Sequence, residues 1–165
     1  MPIKNKQSFT LIELLIVIAI IAIISSIVGI NYSASQKRAR DTQRIADMNI
    51  IASALNSYRR EKGGFPNEVS TTPWEESKDN PQFLEYLKPY IANIPFDPKN
   101  TGSYYYAYRY YNNGSGSCLD ENQDHPFFVL AIKTMEVEKN KFKERAVCNG
   151  YDWGNQFDYS IKIMQ

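Results

Sequence analysis

The stretch KNKQSFTLIELLIVIAIIAIISS, residues 4–26, opens with two lysines and continues as an almost unbroken run of aliphatic side chains. It holds one carboxylate, Glu13, near its upstream edge. From residue 14 to residue 30 no side chain is charged, which lies at the short end of what a membrane-spanning helix needs. A helix that is apolar on every side must be surrounded on every side, and the rest of this chain is too small to do that. The segment therefore reads as an export signal or a membrane anchor, and Lys4 and Lys6 supply the basic head that targeting requires. An acid at the centre of a spanning helix costs roughly 2.5–3.5 kcal/mol, and less near the edge. A carboxylate kept in such a place implies a partner.

The whole chain has 165 residues, 43% hydrophobic and 22% charged, with a formal net charge of +1, the size of one ordinary domain plus a short appendage. So small a net charge sets up no field that attracts nucleic acid, and no nucleic-acid partner is implied. The two cysteines, Cys118 and Cys148, have no Cys or His at metal-ligand spacing, and His125 is the single histidine. No zinc, other metal or cofactor is expected. A disulfide is the natural reading of the pair in an exported domain, with buried free thiols as the alternative. Nothing in the sequence offers a nucleophile motif, a glycine-rich phosphate loop or a carboxylate pair held together, so an enzyme is not expected.

Read together, the basic head, the small residue Ser8, the junction FTLIE and the unbroken apolar run resemble the class III signal of type IV pilins and of the related pseudopilins of type II secretion. The resemblance is specific over residues 4–26 and looser beyond. It implies a prepilin peptidase that cuts on the cytoplasmic side between Ser8 and Phe9, so that the apolar helix is retained, and then methylates the new amino group of Phe9. It also implies that Glu13 pairs with the Phe9 amino group of a neighbouring subunit during assembly. Two opposite charges in a low-dielectric interior attract strongly while each alone is costly, so such a pair forms only in register. The family usually has glycine where this chain has Ser8, and many type IV pilins have a helix-bending proline where this chain has Ile30.

Downstream, Ile45, Met48, Ala52 and Leu55 recur at helical spacing, with Ile51 and Tyr58 flanking the stripe. Arg44, Asp47, Asn49 and Arg59 are expected to face water. No proline lies between Phe9 and Lys62, and KGGFP supplies a glycine cap and a proline stop. One helix of about 54 residues, on the order of 80 Å long, is predicted. Thr72 with Pro73, and Asn80 with Pro81, read as caps of two short helices. In YYYAYRYY, Tyr104, Tyr106, Tyr108 and Tyr110 share one face of a strand and Tyr105, Ala107, Arg109 and Tyr111 the other. PFFVLAIK and YSIKI make further strands, the latter with Tyr159, Ile161 and Ile163 on one side. The tyrosines are read as sheet packing rather than as a sugar-binding or charge-carrying device.

The expected fold is α+β and pilin-like: one long N-terminal helix, part membrane-spanning and part amphipathic, packed on a small antiparallel sheet, with short helices in the connecting region. Its parts are a cleaved leader (1–8), a membrane-spanning or assembly half of the helix (9–30), an amphipathic half (31–62) and a globular head (63–165). The resemblance implies that a Cys118–Cys148 bond staples the far edge of the head. It also raises calcium, for which Asp120, Glu121, Asn122 and Asp124 offer oxygens; they lack the spacing and glycine of an EF-hand, and a solvated loop is the reading adopted. The leading function is a subunit of a type IV pilus-like filament, with a major-type pseudopilin of a secretion system as the alternative and a non-polymerising, membrane-anchored binding domain third. Implied partners are further copies and other pilins or pseudopilins, the prepilin peptidase and N-methyltransferase, a membrane assembly platform, and the lipid bilayer before assembly. The implied location is the cytoplasmic membrane with the head outside, then a surface or periplasmic filament. Lys37, Arg38, Arg40 and Arg44 argue against that orientation by count of basic residues, while the cysteines and the tyrosine-rich head argue for it.

Overall fold

The computed structural model describes residues 9–67, 73–78, 80–112, 126–137, 146–148 and 151–164, with the backbone alone at 27–31, 147 and 148. The chain divides into two compact units, Met1–Lys37 and Arg38–Gln165, and helix α1 (Leu11–Lys62) contributes to both. In the first unit α1 is the one described element, and its side chains at 11–26 are exposed all round. Among the described residues no helix is long and apolar enough to cross a membrane. At 1.5 Å per residue, 11–26 spans about 24 Å against a hydrocarbon core of about 30 Å. The sequence reading of 9–30 extends into residues 27–31, whose side chains are outside the description.

The second unit is the head. Among the described residues six strands follow α1: β1 (Glu75–Glu76), β2 (Tyr106–Tyr111), β3 (Phe127–Ile132), β4 (Val147–Cys148), β5 (Tyr151–Asp152) and β6 (Tyr159–Met164). Four form an antiparallel sheet in the order β1-β2-β3-β6, and β4 pairs with β5 alone. The register sets Tyr106, Tyr108 and Tyr110 opposite Ile132, Leu130 and Phe128, and these in turn opposite Tyr159, Ile161 and Ile163. That face packs on Met48, Ile51 and Leu55 of α1, all fully buried. The expected faces hold for Tyr106, Tyr108 and Tyr110 and for YSIKI, whereas Tyr104, expected on the same strand, lies before β2 in an isolated bridge with Thr101. The α+β, pilin-like fold of a long N-terminal helix and a small antiparallel sheet is the one observed.

The opposite face is not left to water. Tyr105, Ala107, Tyr111, Phe127, Val129 and Ala131 form a second core under Trp153, Phe157 and Ala146. The Tyr111 and Phe127 rings stack at 4.7 Å, and the Trp153 indole donates to the Tyr111 hydroxyl at 3.2 Å. Covering both faces explains why β3 is apolar at every position instead of alternating.

Helix α1 stops as its sequence requires. Gly63 takes φ +82°, a region that costs other residues a Cβ clash, and its N–H donates to the Arg59 carbonyl at 2.8 Å. The connecting region departs from expectation. Where Thr72 and Pro73 were expected to start a helix, Glu75–Glu76 instead pairs with Tyr108 and Ala107 as an edge strand; Thr72 lies outside the described residues. The Glu75 side chain is the reason. Fully buried, it accepts from the Leu84 N–H at 2.7 Å and the Tyr86 hydroxyl at 3.2 Å, contacts that helical geometry at 73–78 would break. The same hydrogen bond holds Leu84 at φ 52°, a left-handed conformation unusual for a side chain with a Cβ. Asn80 does not cap a helix as expected: its Oδ1 accepts from the Gln82 N–H at 2.9 Å within a turn, and the 3₁₀ helix at Glu85–Leu87 starts later, with Leu84 at its N-cap and no side-chain cap.

Candidate assembly site

At the start of α1, Thr10 and Glu13 form a reciprocal cap. The Glu13 carboxylate Oε2 accepts from the Thr10 N–H at 2.8 Å and from the Thr10 hydroxyl at 2.7 Å, while the Glu13 N–H donates to Thr10 Oγ1 at 3.3 Å. This is a capping box: a threonine three residues before a glutamate satisfies donors that every helix leaves open at its N-terminus. The sequence reading assigns Glu13 to assembly and misses this local role, although T-x-x-E carries its signature. Glu13 Oε1 makes no hydrogen bond among the described residues, so the cap leaves acceptor capacity for a further donor.

Phe9, immediately before the cap, is 87% exposed, and Leu11, Ile12, Leu14, Leu15, Ile16, Ile18, Ile21 and Ile24 are all more than half exposed. Isoleucine and leucine on every side of one helix amount to an unpartnered apolar surface far beyond scattered surface residues. Such a surface is stable only against lipid or against other protein. Ser8 lies outside the described residues, as do Cys118, His125, Asp120, Glu121, Asn122 and Asp124. The Cys148 backbone belongs to β4 while its side chain is not described, so the disulfide and calcium expectations fall outside the described structure. No group of acidic, histidine or cysteine side chains that could hold a metal occurs among the described residues.

A second constellation was not anticipated. Arg44 and Asp47, expected to face water, are 0% and 7% exposed. The Arg44 guanidinium grips Asp97 with two hydrogen bonds, Nε to Oδ2 at 2.7 Å and Nη2 to Oδ1 at 3.0 Å. Its Nη1 reaches Asp41 at 2.7 Å and Glu136 at 3.1 Å. Arg40 adds two bonds to Glu136 at 2.6 and 2.7 Å, and Lys99 closes on the same carboxylate at 3.0 Å. Asp41 also accepts from the backbone N–H groups of Glu136 and Val137. The Arg40 hydrogen bonds hold the Glu136 carboxyl well below the usual range, with Lys99 and Arg44 reinforcing them. Burial alone would lower the Arg44 value, but Asp97, Glu136 and Asp41 outweigh it and hold the guanidinium charged. The physical reason for the misplaced expectation is that Arg44 borders the apolar stripe and its carboxylates arrive from remote loops, which make its burial affordable.

Comparison with known proteins identifies the helix. The family described as "Prokaryotic N-terminal methylation motif" matches residues 3–29. The type IV wide pilus major component PilA4 of Thermus thermophilus is 42% identical over 62 residues, 38% of this chain and 47% of that one. The type II secretion system core protein G of Aeromonas hydrophila is 31% identical over 99 residues, 58% of this chain and 69% of its own length. Its namesake from Escherichia coli K12 is 28% identical over 97 residues, covering 57% and 67%. The match thus spans a little under half of the Thermus protein and about two thirds of the secretion proteins. No solved structure matches the chain.

Proposed function

Because the chain belongs to the family of type IV pilins and type II secretion pseudopilins, we propose that it is a structural, non-catalytic subunit of a pilus-like filament, polymerising through the apolar part of α1. The observation that carries this reading is the helix exposed on every side at 11–26, which needs a cover the single chain does not provide. Before assembly that cover is a bilayer, with the head outside; afterwards it is the same segment of neighbouring copies, or of other pilins or pseudopilins. A prepilin peptidase and N-methyltransferase cuts between Ser8 and Phe9 and methylates Phe9, and a membrane platform adds subunits. The cut leaves one residue before the Thr10–Glu13 cap, which brings the new amino group to the end of the helix beside the carboxylate. Glu13 Oε1, without a hydrogen bond among the described residues, is then available to the Phe9 amino group of a neighbour.

A pseudopilin of a secretion system is the second reading. It is favoured by the length of the matches to core protein G, which at 57–58% of the chain must extend past α1 into the head. Filament length separates the two readings.

Glu13→Ala and Glu13→Gln test the proposal. Both should insert into the membrane at least as well as wild type, because each removes a charge that is expensive in hydrocarbon. Apolar helices slide past one another with little preference, whereas an ion pair has one register, and an unpaired amino group in a low-dielectric interior costs several kcal/mol per subunit. Sheared, pelletable filament should therefore fall at least about tenfold relative to membrane-inserted protein, with Glu13→Asp between. Wild-type filament yield from Glu13→Ala would reduce Glu13 to a helix cap.

A further inference from the structure

Among the described residues the partly buried ionic cluster of the head does not balance. Its cations are Arg40 and Arg44 from α1 and Lys99 from the loop before β2. Its carboxylates are Asp41 and Asp47 from α1, Asp97 from that same loop and Glu136 from the segment after β3. Four acids face three bases. The surplus falls on Asp47, which among the described residues has no cation at ion-pair distance and whose hydrogen bond comes from a neutral donor, the Tyr106 hydroxyl on β2, at 2.7 Å. Asp47 is 7% exposed and Tyr106 fully buried, so little water reaches the carboxylate to solvate its charge.

We propose that Asp47 is a proton-binding site of the folded head, taking up one proton as the head folds and making the head more stable in mild acid than at neutral pH. Protonation restores three acids to three bases, and the Asp47–Tyr106 contact survives it, since a protonated carboxyl and a phenol can still share a hydrogen bond. Burial pushes the Asp47 carboxyl up, and the neighbouring Asp97 adds to it. The Tyr106 hydrogen bond and the Arg44 charge oppose the rise without cancelling it. An acid whose folded value lies above its unfolded value, about 3.9, binds a proton on folding between the two. Stability therefore rises as pH falls through the folded value. Glu136 works in the opposite sense, but its value is depressed, so its contribution is lost only in stronger acid.

The inference does not depend on polymerisation. It is tested on the full chain in detergent micelles by denaturant unfolding, followed by tryptophan fluorescence. Trp74 and Trp153 both lie in the head, and Trp153 is buried. As pH falls from neutral toward the unfolded aspartate value of about 3.9, the wild-type unfolding constant should fall, by less than tenfold per pH unit. Asp47→Asn should lack that gain, and groups common to both proteins cancel in the difference. If Asp47→Asn does not fold, carboxyl-carbon NMR of the wild type should show Asp47 titrating above the ordinary aspartate range. Tyr106→Phe should raise that midpoint further by removing a donor to the ionised form. An Asp47 midpoint at or below the ordinary range, or an equal acid gain in Asp47→Asn, would overturn the proposal.

Discussion

Removing the charge at the centre of the head cluster by Arg44→Met tests how the head is fastened to α1. Methionine fills part of the space but donates no hydrogen bond. Its neighbours lose unequally. Glu136 keeps Arg40 and Lys99, and Asp41 keeps two backbone N–H groups. Asp97 loses both guanidinium bonds and retains the backbone N–H groups of Lys99 and Asn100, at 2.8 and 3.3 Å, which carry no full charge. Breaking a buried pair by deleting one partner costs about 3–5 kcal/mol, and the surviving contacts place this case near the lower end. A loss of about 3 kcal/mol is a large share of a stability of about 5–15 kcal/mol and lowers the melting temperature by roughly 10 °C. Unfolding of the full chain in micelles, read by tryptophan fluorescence, measures it. Adding Asp97→Asn removes the orphaned charge while preserving an acceptor for Lys99 N–H, and should return about 1–2 kcal/mol. A loss below about 1 kcal/mol for Arg44→Met would mean the cluster is solvated and the argument wrong.

Processing should leave Phe9 as the first residue of the exported protein, which N-terminal sequencing or intact mass reads directly; a start beyond residue 30 would mark ordinary secretory cleavage and end the filament reading. Gly63→Ala should cost about 1–2 kcal/mol, because φ is +82° while no atom lies within 4 Å of the added Cβ, so the loss is purely backbone. An unchanged unfolding midpoint would show that the helix end relaxes freely. Cys118 and Cys148 should be joined in the exported protein, and non-reducing mass spectrometry that finds two free thiols contradicts it.

The elements that local pattern governs were legible in the sequence. Spacing of Met48, Ile51 and Leu55 gave the buried face of α1, and alternation of tyrosines gave both faces of β2. What was not legible depends on partners distant in the chain. Asp97 and Glu136 lie 53 and 92 residues from Arg44. Charged side chains default to solvent unless such partners arrive, and helical spacing alone does not announce them. The adjacent Arg40, Asp41 and Arg44 on one helical face were the available signal, since three charges crowded beside an apolar stripe ask where their counter-ions are. β1 failed for a related reason. Two residues carry no propensity signal, and their conformation is dictated by the β2 edge and by the buried Glu75. The cap at Thr10–Glu13 was legible, but the apolar context drew attention to charge and away from hydrogen-bonding pattern.

The sheet's two covered faces carry a consequence for the order in which the head forms. β3 (FFVLAI) is uncharged, proline-free and buried along its whole length, and it occupies an interior place between β2 and β6. When it leaves the ribosome α1, β1, β2 and the segment between α1 and β2, with Phe65, Phe83 and Leu87, exist to shield one face of it. Trp153, Phe157 and β6 come some 20 to 30 residues later, a delay of on the order of seconds at synthesis rates of about 5–20 residues per second. A segment of this composition, waiting with one edge and one face open, is a strong template for cross-chain pairing. Native folding of the head is therefore gated by arrival of its last strand, and a truncation before Tyr159 should send the protein toward aggregation rather than merely weaken it.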